Sequence, residues 1–292
     1  MTTAVATATT DEPFQLFSTL LYSRALLSQP ENTRLCGSPC PFYMLVYHRD
    51  RILAAARNFG WQDVVTALEA SGFMPLLIEK CQRAVDDAAV KIATDDGGAN
   101  ADDIEFRLRL LVSDAAAITV EAYPLPSMTA TALFPSTLPP PSTALTTSQN
   151  PPWTVHLDRI PMSPSSLTRY KTTARNHYLA ARTRVGIHTF TEPSEVILYS
   201  DSADQLIMEG SITNIYFWRP ERGGWITPTT SAEDAAGNGA GGTAGTMRRW
   251  VLEHGMATVG DVRKGDVVAG EVVWLSNGLR GVVLGRIAET TV

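Results

Sequence analysis

A single carboxylate, Glu209, ends an apolar run in the stretch QLIMEGSITNIYF, Gln205 to Phe217. Leu206, Ile207 and Met208 read as a buried strand, and a carboxylate delivered there is costly unless something cationic meets it. Glu209 therefore either turns into solvent at a hairpin corner or meets a positive group inside. Lys171, in LTRYKTTARNHYLAAR, is the amine that would suit such a site. Read alone, a lysine among Thr, Arg and Asn is more simply a surface residue. To act as a Schiff-base nucleophile it must be deprotonated near neutral pH, which burial and a nearby cation promote. Arg51, in HRDRILAAARNFGW, is either solvated or neutralises a dianion.

The elements that must position these groups follow from periodicity. PFQLFSTLLYS alternates Phe14, Leu16 and Ser18 with Gln15, Phe17 and Thr19, the pattern of a strand. An irregular loop with CGSPCP and a second apolar run, FYMLVY, come next. Ile52, Ala55, Ala56 and Phe59 then recur at helical spacing, Gly60 is the stop, and Arg51 falls in the first turn. TALEASGFMPLLIEKCQRAVDDAA is helical scaffold. EFRLRLLVS and ITVEAYPL form a hairpin that sets Arg107 and Arg109 on one strand face, toward a site or toward solvent. EVILYSDSADQLIMEG is a second hairpin ending at Glu209, and NIYFWRPERGGWITP a third, turning at PERGG. The strand WTVHLDRI leads toward Lys171, and Ala174, Tyr178 and Ala181 mark a helix after it. Lys171 thus falls where a strand meets a helix. VVWLSN and GVVLGRI close the chain as strands about a Ser276-Asn277 turn.

Two stretches have unusual composition. Residues 124–153, PLPSMTATALFPSTLPPPSTALTTSQNPPW, are Pro/Ser/Thr-rich and uncharged, and read as an interdomain linker or surface excursion. Residues 237–245 are Gly-rich, and Gly237-x-Gly239-x-x-Gly242 formally matches a dinucleotide fingerprint. No strand directly precedes it, and no Gly-Lys-Ser/Thr follows, so neither nucleotide motif is supported. The better reading is a loop ending at a helix N-terminus near Thr246, where free N–H groups and the dipole favour a phosphate.

The whole chain, 292 residues with a formal net charge of −6, suits two α/β domains, 13–123 and 154–292, after a lead-in over 1–12. The negative balance argues against nucleic-acid or anionic-membrane partners. No apolar run approaches the roughly 18 residues of a membrane helix. The N-terminal residues lack the features of a secretory signal. Three cysteines without zinc-like spacing point to reduced thiols, no metal and a cytoplasmic location.

Taken in order, HRDR, Lys171, Glu209 and Gly245-Thr246-Met247-Arg248 resemble the class IV (fold type IV) pyridoxal-phosphate enzymes, the D-amino-acid and branched-chain aminotransferases and aminodeoxychorismate lyases. The resemblance runs from about Phe14 to Ile287, outside the linker. It implies a two-domain α/β fold with pyridoxal 5'-phosphate in the cleft, Lys171 bound to the cofactor aldehyde and Glu209 at the ring nitrogen. It further implies a phosphate held by Arg51 and by the backbone at Thr246 and Met247. Thr213, Asn214, Ser276 and Asn277 line the cofactor, Arg107 and Arg109 are substrate candidates, and the assembly is a homodimer. Met247 replaces the family's threonine, so a hydroxyl is lost there while the backbone N–H groups remain. HRDRILAAARNFGW and TMRRWVLEHG are most similar in style to the fungal-type lyases. An aminotransferase of D-amino acids, branched-chain amino acids or (R)-amines, or a non-catalytic member, is the alternative.

Overall fold

The computed structural model describes residues 13–95, 104–125, 133–230 and 239–289. The lead-in 1–12, the polar loop 97–103 and Gly237 lie outside them. The first unit is built on a three-stranded antiparallel sheet in the order β1 (Leu16–Tyr22), β2 (Phe106–Val112), β3 (Ile118–Pro124). Strand β1 is buried on both faces. Leu16 and Leu20 share an apolar core with residues of the helices that follow, whereas Phe17 belongs to the face turned toward Lys171. Between β1 and β2 come α1 (Pro30–Cys36), α2 (Leu45–Phe59), α3 (Gln62–Glu69) and α4 (Phe73–Asp95).

Two expectations change here. The CGSPCP region is not wholly irregular, because α1 occupies Pro30–Cys36. The apolar run FYMLVY is split: Met44 takes a left-handed φ of 50°, and Leu45–Tyr47 already form the first turn of α2. Arg51 consequently sits in the second turn, where the unfavourable dipole term of the first turn has fallen off. The expected stop is present, since Gly60 has φ 70° and its N–H bonds the carbonyls of Ala56 and Arg57.

The second unit is an eight-stranded mixed sheet in the order β6-β5-β4-β11-β10-β7-β8-β9. Its members are β4 (Trp153–Leu157), β5 (Ser194–Tyr199), β6 (Ile207–Gly210), β7 (Asn214–Arg219), β8 (Gly224–Thr227), β9 (Thr258–Val259), β10 (Val272–Asn277) and β11 (Gly281–Ile287). All three sequence-legible hairpins are antiparallel pairs, β2–β3, β5–β6 and β7–β8. Helices α5 (Pro141–Thr147), α6 (Ser166–Arg169), α7 (Asn176–Arg184) and α8 (Thr246–Glu253) complete the fold. Among the described residues, no helix is long and apolar enough to cross a membrane.

The described part of the Pro/Ser/Thr-rich segment is a strap and not a free tether. Three indole N–H groups donate to its carbonyls: Trp225 to Leu138 at 2.9 Å, Trp274 to Pro139 at 3.2 Å and Trp250 to Pro135 at 3.4 Å. Leu138 and Ala144 are buried against the larger sheet and α8. Prolines leave carbonyls without a ladder to join, and the tryptophans supply the donors.

Candidate active site

Lys171 is fixed by both units. Its backbone lies in an extended segment that pairs with β1: the Phe17 N–H bonds the Lys171 carbonyl at 3.0 Å, and Thr173 N–H bonds Gln15 O at 2.9 Å. The segment leads from α6 to α7, so Lys171 sits on a short edge pairing and not at the end of a sheet strand. Its Nζ lies 4.8 Å from the Phe17 ring centroid. Burial, followed by the charges of Arg175 and Arg51, holds its ammonium form well below the ordinary lysine range; Glu209 and Glu195 oppose this less strongly. The amine is biased toward the free base that nucleophilic work requires.

Glu209 is buried next to the end of β6. Its Oε1 accepts from the Tyr178 hydroxyl at 2.5 Å and from Thr243 Oγ1 at 3.2 Å. Among the described residues no cation pairs with it directly. Burial raises its pKa, against the Tyr178 hydrogen bond and the charges of Arg175 and Lys171. A group with a protonated ring nitrogen would relieve that cost.

Arg51 approaches from α2. Its Nη2 donates to Ser18 Oγ, and Ser18 Oγ lies 2.6 Å from His48 Nδ1. Burial, then the charges of Arg51 and Lys171, pushes the His48 pKa well down, so the imidazole is neutral. The Ser18 oxygen accepts from Arg51 and can donate its own hydrogen bond to Nδ1, an arrangement that would put the ring proton on Nε2. His48 Nε2, Arg51 Nε and Thr246 Oγ1 are buried polar atoms without a hydrogen-bond partner among the described residues. Gly278 runs between two of them: a methyl there would fall 2.6 Å from both Thr246 Oγ1 and His48 Cε1. Together with the N-terminus of α8, these unpartnered groups suit a dianionic phosphate. A cavity of about 320 Å³ opens beside them, lined in part by Arg51, Tyr170, Thr243 and Thr246.

The profile of the family described as amino-transferase class IV matches residues 38–286. The chain belongs to the class IV aminotransferases. A curated relative, aminodeoxychorismate lyase of Saccharomyces cerevisiae, is 28% identical over 200 residues, 62% of this chain and 51% of that protein. The chain thus spans about half the length of the curated relative it matches. Among solved structures, a putative amino-acid aminotransferase of Mesorhizobium loti aligns with a TM-score of 0.60 at 18% identity, covering 94% of this chain and 100% of that one. The 4-amino-4-deoxychorismate lyase of Pseudomonas aeruginosa aligns with a TM-score of 0.54 at 16% identity, covering 94% and 83%. These structural likenesses establish the shared fold type IV.

Within this class IV site the remaining candidates take varied positions. The Thr213 hydroxyl donates to Glu195 Oε2 at 2.8 Å, and Asn214 Nδ2 donates to Thr243 O at 2.7 Å. Both side chains are thereby committed to holding loops. Glu195, unnoticed in the sequence, also accepts from Ser211 N–H at 2.9 Å and Ile212 N–H at 3.1 Å, and so fastens the turn after Glu209. Ser276 bonds Tyr216 at 2.8 Å, and Asn277 Oδ1 caps its own turn through the N–H groups of Leu279 and Arg280. Arg109 pairs with Glu121 at 3.3 Å and lies 5.3 Å from the Phe17 ring, on the side of Lys171. Arg107 stacks on Tyr123, 4.7 Å away. The Gly-rich loop earns its glycines by close approach: a methyl on Gly242 would sit 2.5 Å from Met208 O, and one on Gly245 2.0 Å from Asn214 Oδ1.

Met247 is fully buried in an apolar cluster with Tyr43, Trp250 and Val251, its sulfur 3.1 Å from the Tyr43 hydroxyl. Its side chain points into the core, so the missing hydroxyl is no loss at a phosphate site, and only its backbone N–H remains a candidate ligand. Met247→Thr is therefore expected to cost about 1–3 kcal/mol of stability through a cavity and a buried hydroxyl. Urea unfolding checks this; a variant at least as stable as the parent would show that the position is polar after all.

Proposed function

We propose that this chain is a pyridoxal-phosphate-dependent lyase that converts 4-amino-4-deoxychorismate to 4-aminobenzoate and pyruvate, a step of folate synthesis. The observation that carries the cofactor assignment is the convergence of an amine biased to its free base, a buried carboxylate without a direct cation partner, and a cluster of unpartnered donors. Arg51, the Thr246 hydroxyl and the N–H groups of Thr246 and Met247 would hold the phosphate. Glu209 would hold the ring nitrogen, and Lys171 the aldehyde. The bound cofactor supplies an electron sink for a carbanion next to the substrate nitrogen.

The chain's own residues supply the rest. Lys171 would act as the base that takes the proton from the substrate carbon bearing nitrogen. Glu209, held in place by Tyr178 and Thr243, would set its carboxylate against the ring nitrogen. Arg109 and Arg175 both lie within 5.6 Å of the Phe17 ring centroid, which gives the cleft a positive wall suited to a substrate bearing carboxylates. Similarity to the yeast lyase supports elimination over amino transfer. A cytoplasmic homodimer belongs to the same reading, and sedimentation of the purified protein tests the dimer.

The deciding experiment supplies aminodeoxychorismate without a keto acid. Pyruvate and 4-aminobenzoate in equal amounts, with turnover continuing, are expected. Stoichiometric bleaching by a simple amine, with no pyruvate, would instead assign an aminotransferase that shares Lys171 and Glu209.

A further inference from the structure

We propose that Arg175 is a positioning residue of this site, a guanidinium set over two aromatic rings that serves Lys171 and Glu209 at once. It stands four residues after Lys171, immediately before α7. Its Cζ is 4.2 Å from the Tyr178 ring centroid and 5.6 Å from that of Phe17, and its Nη2 donates to the Ser211 carbonyl at 2.5 Å. Three elements therefore fix it: β1, α7 and the turn that follows Glu209. A guanidinium over two rings and bonded to a backbone carbonyl loses little further freedom.

The placement links the two functional groups. Phe17 is the ring that also faces Lys171 Nζ, and Tyr178 is the residue whose hydroxyl bonds Glu209. One fixed positive charge beside both of these rings has two useful effects of the same sign. It disfavours protonation of the Lys171 amine, and it favours the anion of Glu209. Arg175 is the foremost charge acting on each of them, after burial for Lys171 and after burial and the Tyr178 hydrogen bond for Glu209. The other charged groups facing Lys171 are Arg51 from α2, Glu209 from β6 and Glu195 from β5. Arg109 of β2 lies against the same Phe17 ring. Arg51 and the effect of burial would remain if Arg175 were removed, so the bias on Lys171 would shrink and not vanish.

This inference rests on Lys171 as the reactive amine, and its test reports on that separately. The full chain, stripped of cofactor, is labelled with trace acetic anhydride across a pH series. Acetylation of the Lys171 peptide is read against that of a free lysine derivative added as an internal standard. In the parent protein Lys171 should titrate well below the standard; if the two titrate together, Lys171 is not the biased amine and the role given to Arg175 falls with it. Arg175→Met should move the Lys171 midpoint upward by about 1–2 pH units, the size of one lost charge at short range. Arg175→Lys, which restores a charge, should bring the midpoint most of the way back. Arg175→Gln, which keeps a donor for Ser211 without the charge, should behave like Arg175→Met and replaces it if that variant does not fold. An unmoved midpoint in Arg175→Met or Arg175→Gln, with only a lower melting temperature, would reduce Arg175 to a structural clamp. A shift in Arg175→Lys as large as in Arg175→Met would also overturn the proposal.

Discussion

Lys171→Ala is expected to remove turnover almost completely, by roughly a thousandfold or more, since it deletes both the nucleophile and the proton acceptor. The loss should not come from unfolding. Lys171 is anchored through its backbone to β1, and those hydrogen bonds do not involve the side chain. Removing a half-buried amine with a depressed pKa also relieves a desolvation cost. Lys171→Arg should fail to rescue, because a guanidinium keeps its proton at any working pH. In the parent, the fraction of free amine rises with pH through a midpoint below the ordinary lysine value. The rate limb controlled by Lys171 should therefore climb with pH. Measured turnover and thermal unfolding of the same variants separate the chemical effect from the structural one.

Glu209→Gln carries the second large effect. The amide keeps the size of the side chain, and its oxygen can still accept from Tyr178 and Thr243. The negative charge is lost, and with it the group that favours a proton on the ring nitrogen. Loss of such a preorganised electrostatic contact typically costs about a hundredfold or more in rate. Stability should move the other way. Glu209 has its native pKa raised by burial, so ionising it costs the folded state more than the unfolded one. That cost is absent in acid, where the carboxyl is protonated in both states, and appears as pH rises through the unfolded carboxylate value. Glu209→Gln should thus match the parent near pH 3 and equal or exceed its cofactor-free stability at pH 7. Near-normal turnover in this variant with cofactor bound would show that Glu209 acts through shape alone.

Much of the framework was legible: FRLRLLV alternates as a half-buried strand and pairs with ITVEAYP as read, and the apolar runs SEVILY and IMEG, buried on both faces, pair as well. The start of α2 was not legible. Phe42 to Tyr47 are uniformly apolar, and only the left-handed turn at Met44 divides the run into loop and helix. The contacts of the strap were not legible for a similar reason, because its partners are tryptophans 87 to 135 residues away. Lys171 and Glu209 stood out through the company they kept. Arg175 and Tyr178 did not, although both lie in the same stretch as Lys171, because Tyr178 at helical spacing looks like core and Arg175 looks solvated. Ser18, His48 and Glu195 owe their roles to contacts between distant segments, for which local pattern carries no signal.

The central claim, that Lys171 carries the cofactor, is open to one direct chemical measurement. The purified protein, loaded with pyridoxal phosphate, is reduced with borohydride, digested and mapped by mass spectrometry. A stable pyridoxyl adduct on the peptide containing Lys171 is the expected result, at close to one per chain and absent in Lys171→Ala. An adduct on Lys80 or Lys264, with Lys171 unmodified, would contradict the account.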